Sequence, residues 1–210
     1  QPLNGANIPT NIKHQLGATH VAGKYFFTNE PYLIEGCKKM TELGYGVVKL
    51  WFRKTGSGYP YNSNWNINKD ISLLDLAKHP YWQTCFDMPF STIALSIEGA
   101  GIRTTDASAK AEEEEIYALS KYLLEKYKDR ELTFILHNWE GDWMMRGGTG
   151  SNARWSRKAG ELIRAVDGDR QTVLVPADSL ERINAMAKWF KARQDGVSRA
   201  RAAVGRSKCK

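Results

Sequence analysis

Short apolar runs alternate along the chain with longer stretches in which apolar residues recur every three or four positions. The runs at 46–52, 91–97 and 132–137 are bounded by charged residues or glycine, a pattern typical of strands buried in a parallel sheet. A less regular run at 19–27 predicts one further strand before them. The helical period predicts helices over 29–44, 73–78, 112–127, 155–166 and 178–203.

Several of the predicted helices have recognisable ends. Asn29 is a candidate N-cap, Gly44 is a stop signal, and Asp178 with Glu181 forms a capping pair for the last helix. The acidic run 112–115 fits a solvated helix start, where negative charge suits the helix dipole, better than a metal cluster. The apolar faces are predicted to bury Leu33, Cys37 and Met40 in the first helix, Ile116, Leu119, Leu123 and Tyr127 in the third, and Ile183, Met186, Ala187 and Phe190 in the last.

Repeated strand–helix units predict an α/β fold with a parallel sheet, formed by residues 1–210 as a single domain. Four such units make half of an eight-stranded barrel. Four open strands would leave two edges and one apolar face exposed, so either the edges self-associate with another copy or the C-terminal half of a barrel is missing. The chain ends at 207–210, just after a long helix, where a fifth strand would begin. We therefore favour a partial or truncated TIM barrel, the N-terminal half of a (β/α)8 barrel.

The composition is that of an ordinary soluble protein, with 42% hydrophobic and 25% charged residues in a chain of 210. No apolar stretch approaches the roughly 20 residues that span a bilayer, so no membrane partner is expected. The chain opens at Gln1 without a methionine, as a processed, secreted protein does and as a trimmed chain also would; we favour the first interpretation and expect a secreted or periplasmic location.

The net charge of +7 is unevenly distributed. Five cations and no acid lie in residues 196–210, which leaves a net charge of +2 for the rest of the chain. Nucleic-acid-binding proteins usually spread basic residues across one face, so the sequence predicts no nucleic-acid partner.

The three cysteines, Cys37, Cys85 and Cys209, form no CxxC motif and have no histidine at ligand spacing, so no metal site is expected. Cys37 is predicted to be a buried hydrophobic residue, and a Cys37–Cys85 disulfide is the alternative in an oxidising compartment. The glycine-rich stretch 147–150 lacks the lysine and hydroxyl residue of a phosphate-binding loop. We therefore expect no cofactor.

One acid stands out because of its place beside a predicted strand. Glu140 follows the fourth strand, with Trp139 and Trp143 on either side, at a position where α/β enzymes collect catalytic groups. Burial against indole rings raises the pKa of a carboxyl group toward the range of a general acid. In the structural alternative, Glu140 pairs with Arg146 or Lys49.

A second acid and further tryptophans complete the candidate site. Glu98 follows the third strand and is the candidate second carboxylate of a hydrolytic pair, with a salt-bridged loop acid as the alternative. Trp51 and Trp65, together with the two tryptophans beside Glu140, are predicted to stack on sugar rings. The residues predicted to belong to the core instead are Trp82, Trp155, Trp189, His20 and His137.

The segment Asn138-Trp139-Glu140 resembles the end of strand four in the glycoside hydrolases built on (β/α)8 barrels, the large clan A, whose acid/base glutamate follows an asparagine. Here a tryptophan separates the two residues. The resemblance implies that Glu140 donates a proton and that Asn138 helps to hold a sugar hydroxyl. Arg146 is a further candidate for substrate binding.

The resemblance implies a glycoside hydrolase that acts on a β-linked polysaccharide or oligosaccharide by carboxylate acid/base catalysis. The nucleophile of such enzymes lies on strand seven, which this chain does not contain, so catalysis by this chain alone requires Glu98 to substitute. The alternative function is a non-catalytic carbohydrate-binding module, because aromatic residues are abundant while that carboxylate is missing. Carbohydrate is the expected partner in both cases.

Overall fold

Four strands form a parallel sheet in the order β1–β2–β3–β4 in the computed structural model of the protein. Residues 47–52 of the second strand lie in register with residues 92–97 of the third. The predicted α/β fold with a parallel sheet and intervening helices is therefore confirmed. The strands are β1 (Gly17–His20), β2 (Val47–Phe52), β3 (Thr92–Ile97) and β4 (Thr133–Asn138).

The described residues belong to two compact units. Unit one comprises 1–98, 118–137 and 200–210, and unit two comprises 99–117 and 138–199. The structure describes residues 12, 15–21, 26–65, 67–97, 99, 101–138, 162–166, 172–176 and 179–210, with the backbone alone at 57, 162–166, 172–176 and 179.

Five helices are present in these ranges, and most of them match predicted segments. Gly44 ends the first helix as predicted, with a φ of 85° and with the Tyr45 N–H donating to the Met40 carbonyl over 3.0 Å. A glycine in the left-handed conformation, followed by a backbone hydrogen bond that reaches back five residues, is a common way to end a helix. The helices are α1 (Tyr32–Glu42), α2 (Leu73–Ala77), α3 (Pro80–Asp87), α4 (Asp106–Lys126) and α5 (Ser179–Val204).

The segment before α1 differs from the prediction. The first strand spans Gly17–His20 rather than 19–27, and Phe27 is 69% exposed. Asn29 does not cap the helix, since Pro31 holds the cap position and no side chain bonds there. The buried Glu35 of the helix instead fixes the segment before it, because its Oε1 accepts the N–H of Phe27 over 2.8 Å.

Helix α3 was not predicted from the sequence. His79 occupies its N-cap, where Nδ1 accepts the N–H of Tyr81 over 3.2 Å, and Pro80 opens its first turn. A proline at the first helical position is a start signal, but the helix is too short for its apolar period to be visible.

The segment at 162–166 was predicted to end a helix and instead forms a strand. The strand β5 (Leu162–Val166) pairs antiparallel with β6 (Thr172–Pro176). Both stretches are rich in β-branched residues, and Asp167-Gly168 between them is a hairpin signal. Residues 155–161 of the predicted helix, including Trp155, lie outside the described residues.

The core of unit one lies between the sheet and the first three helices. Alternate residues of β2 and β3 are fully buried, and the ring of Phe52 lies 4.8 Å from that of Trp82 in α3. Leu33 and Cys37 of α1 are fully buried as predicted, whereas Met40 is half-buried. Full burial of one large apolar side chain contributes roughly 1.5–3 kcal/mol, so this layer fixes the helices on one face of the sheet.

The buried face of α5 in unit two differs from the predicted one. Met186 and Trp189 are buried as expected, but the buried face also includes Arg193 together with Ala185 and Ala192. A Cβ at Gly101 would lie 2.6 Å from the Trp189 Cβ, so this close approach requires glycine. The apolar period could not anticipate a buried arginine or a glycine contact. The residues predicted to be buried but found exposed are Ile183, Ala187 and Phe190.

Candidate functional site

The two candidate acids follow neighbouring strands of the sheet. The strand β3 ends at Ile97 and β4 ends at Asn138, so Glu98 is the next residue after one strand and Glu140 the second residue after the other. Both acids lie outside the described residues, and their roles stay predictions. The other candidates outside the described residues are Trp139, Trp143 and Arg146.

Trp51, predicted to contact a sugar, is the penultimate residue of β2 and is half-buried. The guanidinium carbon of Arg53 lies 4.2 Å from the centroid of its ring, within cation–π range. A Cβ at Gly58 would lie 3.4 Å from the Trp51 ring, so the loop backbone also approaches the indole. These contacts hold the indole in a defined position. The contact with the Arg53 guanidinium group was not predicted from the sequence.

Trp65, the second predicted sugar-contacting residue in the described chain, packs within the loop after β2. Its ring lies 5.6 Å from that of His79 and 5.9 Å from that of Tyr81. A Cβ at Gly56 would lie 2.7 Å from the indole. Trp65 therefore helps to order this loop, and its contact with a ligand stays a prediction.

His137 is half-buried, whereas the sequence predicted a core histidine. Its Nδ1 lies 3.5 Å from the hydroxyl oxygen of Ser96 on the neighbouring strand. Ser96 is only 3% exposed and stands opposite Trp51 in the β2–β3 register. Three adjacent strands thus carry Trp51, Ser96 and His137 near their carboxyl ends. The one signal for Ser96 was a polar residue inside an otherwise apolar run.

His20 at the end of β1 is the core histidine that the sequence predicted. It is 6% exposed, its Nε2 lies 2.9 Å from the carbonyl oxygen of Tyr32, and burial lowers its pKa. A hydroxyl group joins this strand to the next one. The Tyr59 hydroxyl donates to the His20 carbonyl and accepts the N–H of Trp51, each over 2.9 Å. Burial holds the pKa of Tyr59 well above its usual value. We call this link the Tyr59 strap.

Asn138, the last residue of β4, is held by a buried arginine of α5. Arg193 Nη1 donates to Asn138 Oδ1 over 2.8 Å, and its Nε donates to Glu112 Oε1 over 2.6 Å. The guanidinium carbon lies 3.9 Å from the centroid of the Trp189 ring. Burial lowers the pKa of Arg193, and the carboxylate of Glu112 opposes that shift. We call these four residues the arginine cluster. Sequence reasoning missed Arg193 completely.

The acidic run 112–115 is not the solvated helix start that the sequence predicted. The helix α4 begins earlier, at Asp106, and Glu112 belongs to the arginine cluster. Glu113 and Glu114 accept from Arg199 Nη1 over 2.6 and 2.7 Å. One cation of the basic segment 196–210 is therefore paired within unit two. Within the described ranges, no group of three or more His, Cys, Asp and Glu residues is placed to hold a metal ion.

The three cysteines are free thiols and all are buried. Cys85 Sγ lies 3.9 Å from the carbonyl oxygen of Leu33. Burial raises the pKa of Cys85 well above its usual value, and burial raises that of Cys209 to about 11. Low thiolate content and poor access make Cys85 and Cys209 weak nucleophiles.

Comparison of the chain with models of protein families, with curated proteins and with solved structures finds no match. The likeness to clan A therefore rests on the residues at the end of β4 and on the repeated strand–helix units. In the part of the chain that the structure describes, no helix combines the length and the apolar character needed to cross a bilayer.

Proposed function

We propose that this protein is a glycoside hydrolase acting on a β-linked polysaccharide or oligosaccharide, with Glu140 as acid/base and Glu98 as the second carboxylate. The proposal is supported by the places of these acids in the sequence, one residue after the end of β3 and two residues after the end of β4, and these strands are neighbours in a parallel sheet. Parallel strands end at one edge and lie about 4.8 Å apart, a spacing compatible with the roughly 5–9.5 Å between glycosidase carboxylates.

The proposed reaction breaks the bond between the anomeric carbon and the glycosidic oxygen. Glu140 donates its proton to that oxygen as the leaving group departs. Glu98 either attacks the anomeric carbon or takes a proton from the attacking water, depending on the stereochemical course. In the first case, water later cleaves the glycosyl-enzyme and its proton returns to Glu140.

Aromatic surface near the ends of β1 and β2 supports a carbohydrate ligand. Phe26 and Phe27 are 52% and 69% exposed, and the ring of Phe26 lies 5.6 Å from that of Tyr61. Trp51 lies at the carboxyl end of β2 in the same unit. Aromatic faces stack on the apolar faces of sugar rings, so these residues are suited to the binding role in the proposal.

The proposal includes a (β/α)8 barrel, to which this chain contributes the first four strand–helix units. A barrel requires the sequential order of β1 to β4 that the sheet has. Lys210 adds a second observation, because its N–H donates to the Leu132 carbonyl over 2.9 Å and its carbonyl accepts the Phe134 N–H over 2.8 Å. This is the pairing of a parallel strand on the edge of β4 away from β3. A strand continuing from Lys210 would occupy the fifth position.

The functional proposal is tested by Glu140→Gln and Glu98→Gln on a panel of β-1,4-glucan, β-1,3-glucan, xylan and mannan, with released reducing ends as the readout. We expect each variant to lose roughly 100-fold or more in rate, the usual scale of acid/base catalysis. Glu131→Gln is the matched control, because this exposed acid precedes β4 rather than following it.

Full activity of Glu140→Gln on every glycan that the unaltered protein cleaves would contradict the assignment. Binding of a glycan by the unaltered protein without release of reducing ends would favour the non-catalytic module instead.

A further inference from the structure

We propose that Arg193 is a positioning residue that fixes the orientation of the Asn138 amide, so that Asn138 presents its NH2 group as a hydrogen-bond donor to a sugar oxygen. The identity of the ligand rests on the proposed function. The contact between the two side chains does not.

The orientation of the amide follows from the chemistry of the guanidinium group. Arginine has five N–H donors and no acceptor, so the atom that lies 2.8 Å from Arg193 Nη1 is the amide oxygen of Asn138. The opposite orientation would bring two donors together. The Nδ2 group is therefore on the other side of the amide, and within the described ranges no side chain or backbone group accepts its hydrogens.

The guanidinium group is itself held on several sides. Glu112 binds its Nε, and the Trp189 ring lies 3.9 Å below its carbon. A Cβ at Gly99 would lie 2.9 Å from Arg193 Nη2, and the φ of 139° at this residue also requires glycine. One buried side chain therefore contacts both the end of β4 and the loop that follows β3. Since these contacts prevent the Arg193 guanidinium group from rotating freely, the Asn138 amide that it binds is fixed as well.

Stability alone does not require an arginine here. Buried ion pairs are often no more stabilising than well-packed apolar residues, because removing the charges from water costs as much as their attraction returns. What the planar fork adds is two directed hydrogen bonds from one group, to a carboxylate and to an amide. The feature that an apolar pair would not reproduce is the direction of the Asn138 NH2 group.

The first arm of the test needs no ligand. The side-chain amide signal of Asn138 is observed by 15N NMR in the unaltered protein, in Arg193→Lys and in Arg199→Lys. Arg199→Lys is the matched control, because Arg199 lies on the same helix and binds Glu113 and Glu114 instead. We expect the Asn138 signal to shift in Arg193→Lys and to stay in place in Arg199→Lys. An unshifted signal in Arg193→Lys overturns the inference.

The second arm measures dissociation constants for β-linked gluco-, xylo- and manno-oligosaccharides well below the melting temperature. We expect Arg193→Lys to weaken binding about 10-fold or more, the scale of one hydrogen bond to a charged partner, and Asn138→Ala to weaken it at least as much. Because Arg193 acts through Asn138, the double variant should bind no more weakly than Asn138→Ala. Losses that add in the double variant overturn the inference.

The two arms separate failure of the inference from failure of the proposed function. If the unaltered protein neither binds nor cleaves any of these glycans, the proposed function fails and the NMR arm decides the role of Arg193 on its own. A general loss of stability in Arg193→Lys lowers the melting temperature but does not reproduce the non-additive affinities.

Discussion

The Tyr59 strap of unit one and the arginine cluster of unit two have the same role but use different interactions. Each ties down polar groups at the carboxyl end of a strand. The strap uses one neutral hydroxyl that bridges two backbone groups over 2.9 Å each. The cluster uses a cation whose side chain is only 7% exposed, balanced by the carboxylate of Glu112.

The difference indicates which kind of substitution destabilises each region most. Removal of a neutral hydroxyl takes one hydrogen bond from each of two backbone groups, a cost limited to their desolvation. A buried charge that loses its counter-charge leaves an uncompensated ion, which costs considerably more. We therefore expect removal of a charge to lower the free energy of unfolding most in the arginine cluster. Around the strap, we expect the largest losses from steric clashes and from removal of hydrogen bonds.

The largest effect is expected in the arginine cluster. Glu112→Leu should lower the free energy of unfolding by about 4 kcal/mol, because it removes the carboxylate that binds Nε of the buried Arg193. The measurement is a urea titration, with the double variant Glu112→Leu, Arg193→Met as the control. The double variant should recover most of the loss. If it is as unstable as the single variant, the cost is steric and the electrostatic contrast between the regions is wrong.

The next effect concerns the packing of His20 beside the strap. A Cβ at Gly36 would lie 2.1 Å from the His20 ring, so Gly36→Ala should lower the free energy of unfolding by about 3 kcal/mol. Gly58→Ala is the matched control, since its Cβ would meet Trp51 at an ordinary 3.4 Å. Equal urea midpoints for the two variants would show that His20 can move aside.

The strap itself is tested by Tyr59→Phe, which removes only a hydroxyl group. We expect the free energy of unfolding to fall by about 2 kcal/mol, because the Trp51 N–H and the His20 carbonyl lose their partner. Tyr61→Phe serves as the control, since no described residue binds the Tyr61 hydroxyl. A loss in Tyr59→Phe no larger than in Tyr61→Phe would mean that water replaces the hydroxyl.

The smallest effect is a pH dependence in the strap region. Burial lowers the pKa of His20 from 6.5, so the unfolded chain binds more protons than the folded one as the pH falls below about 6.5. Stability should therefore fall below that pH, by at most about 1.4 kcal/mol per pH unit, until the folded-state pKa is passed. Burial also lowers the pKa of His79, so His20→Asn should reduce the slope without abolishing it. An unchanged slope in His20→Asn would assign the dependence to other groups.

Local patterns predicted the sheet and much of the helical core. The apolar runs of β2, β3 and β4 were visible, and so was the stop at Gly44, whereas the short β1 was predicted with the wrong bounds. The four residues predicted on the inner face of the third helix are buried at 0 to 4% exposure, three of them on α4 and Tyr127 directly after its last residue. Residues at a fixed spacing on one element suffice for such predictions, because burial of one face imposes the period.

The parts that escaped prediction depend on partners far away in the chain. Arg193 and Asn138 are separated by 55 positions, and no spacing rule connects a strand end with a helix that distant. The true inner face of α5 follows from that contact and from the glycine that admits Trp189. For the candidate acids, the sequence located the two strand ends, while their own side chains lie outside the described residues.

The bonds of the Tyr59 hydroxyl go to the main chain at positions 20 and 51. Such a link does not depend on which side chain either position carries. Replacements of Trp51 would therefore alter the surface offered to a ligand while the first two strands stay joined beneath it. A library at this single position could select new ligand preferences without rebuilding the scaffold.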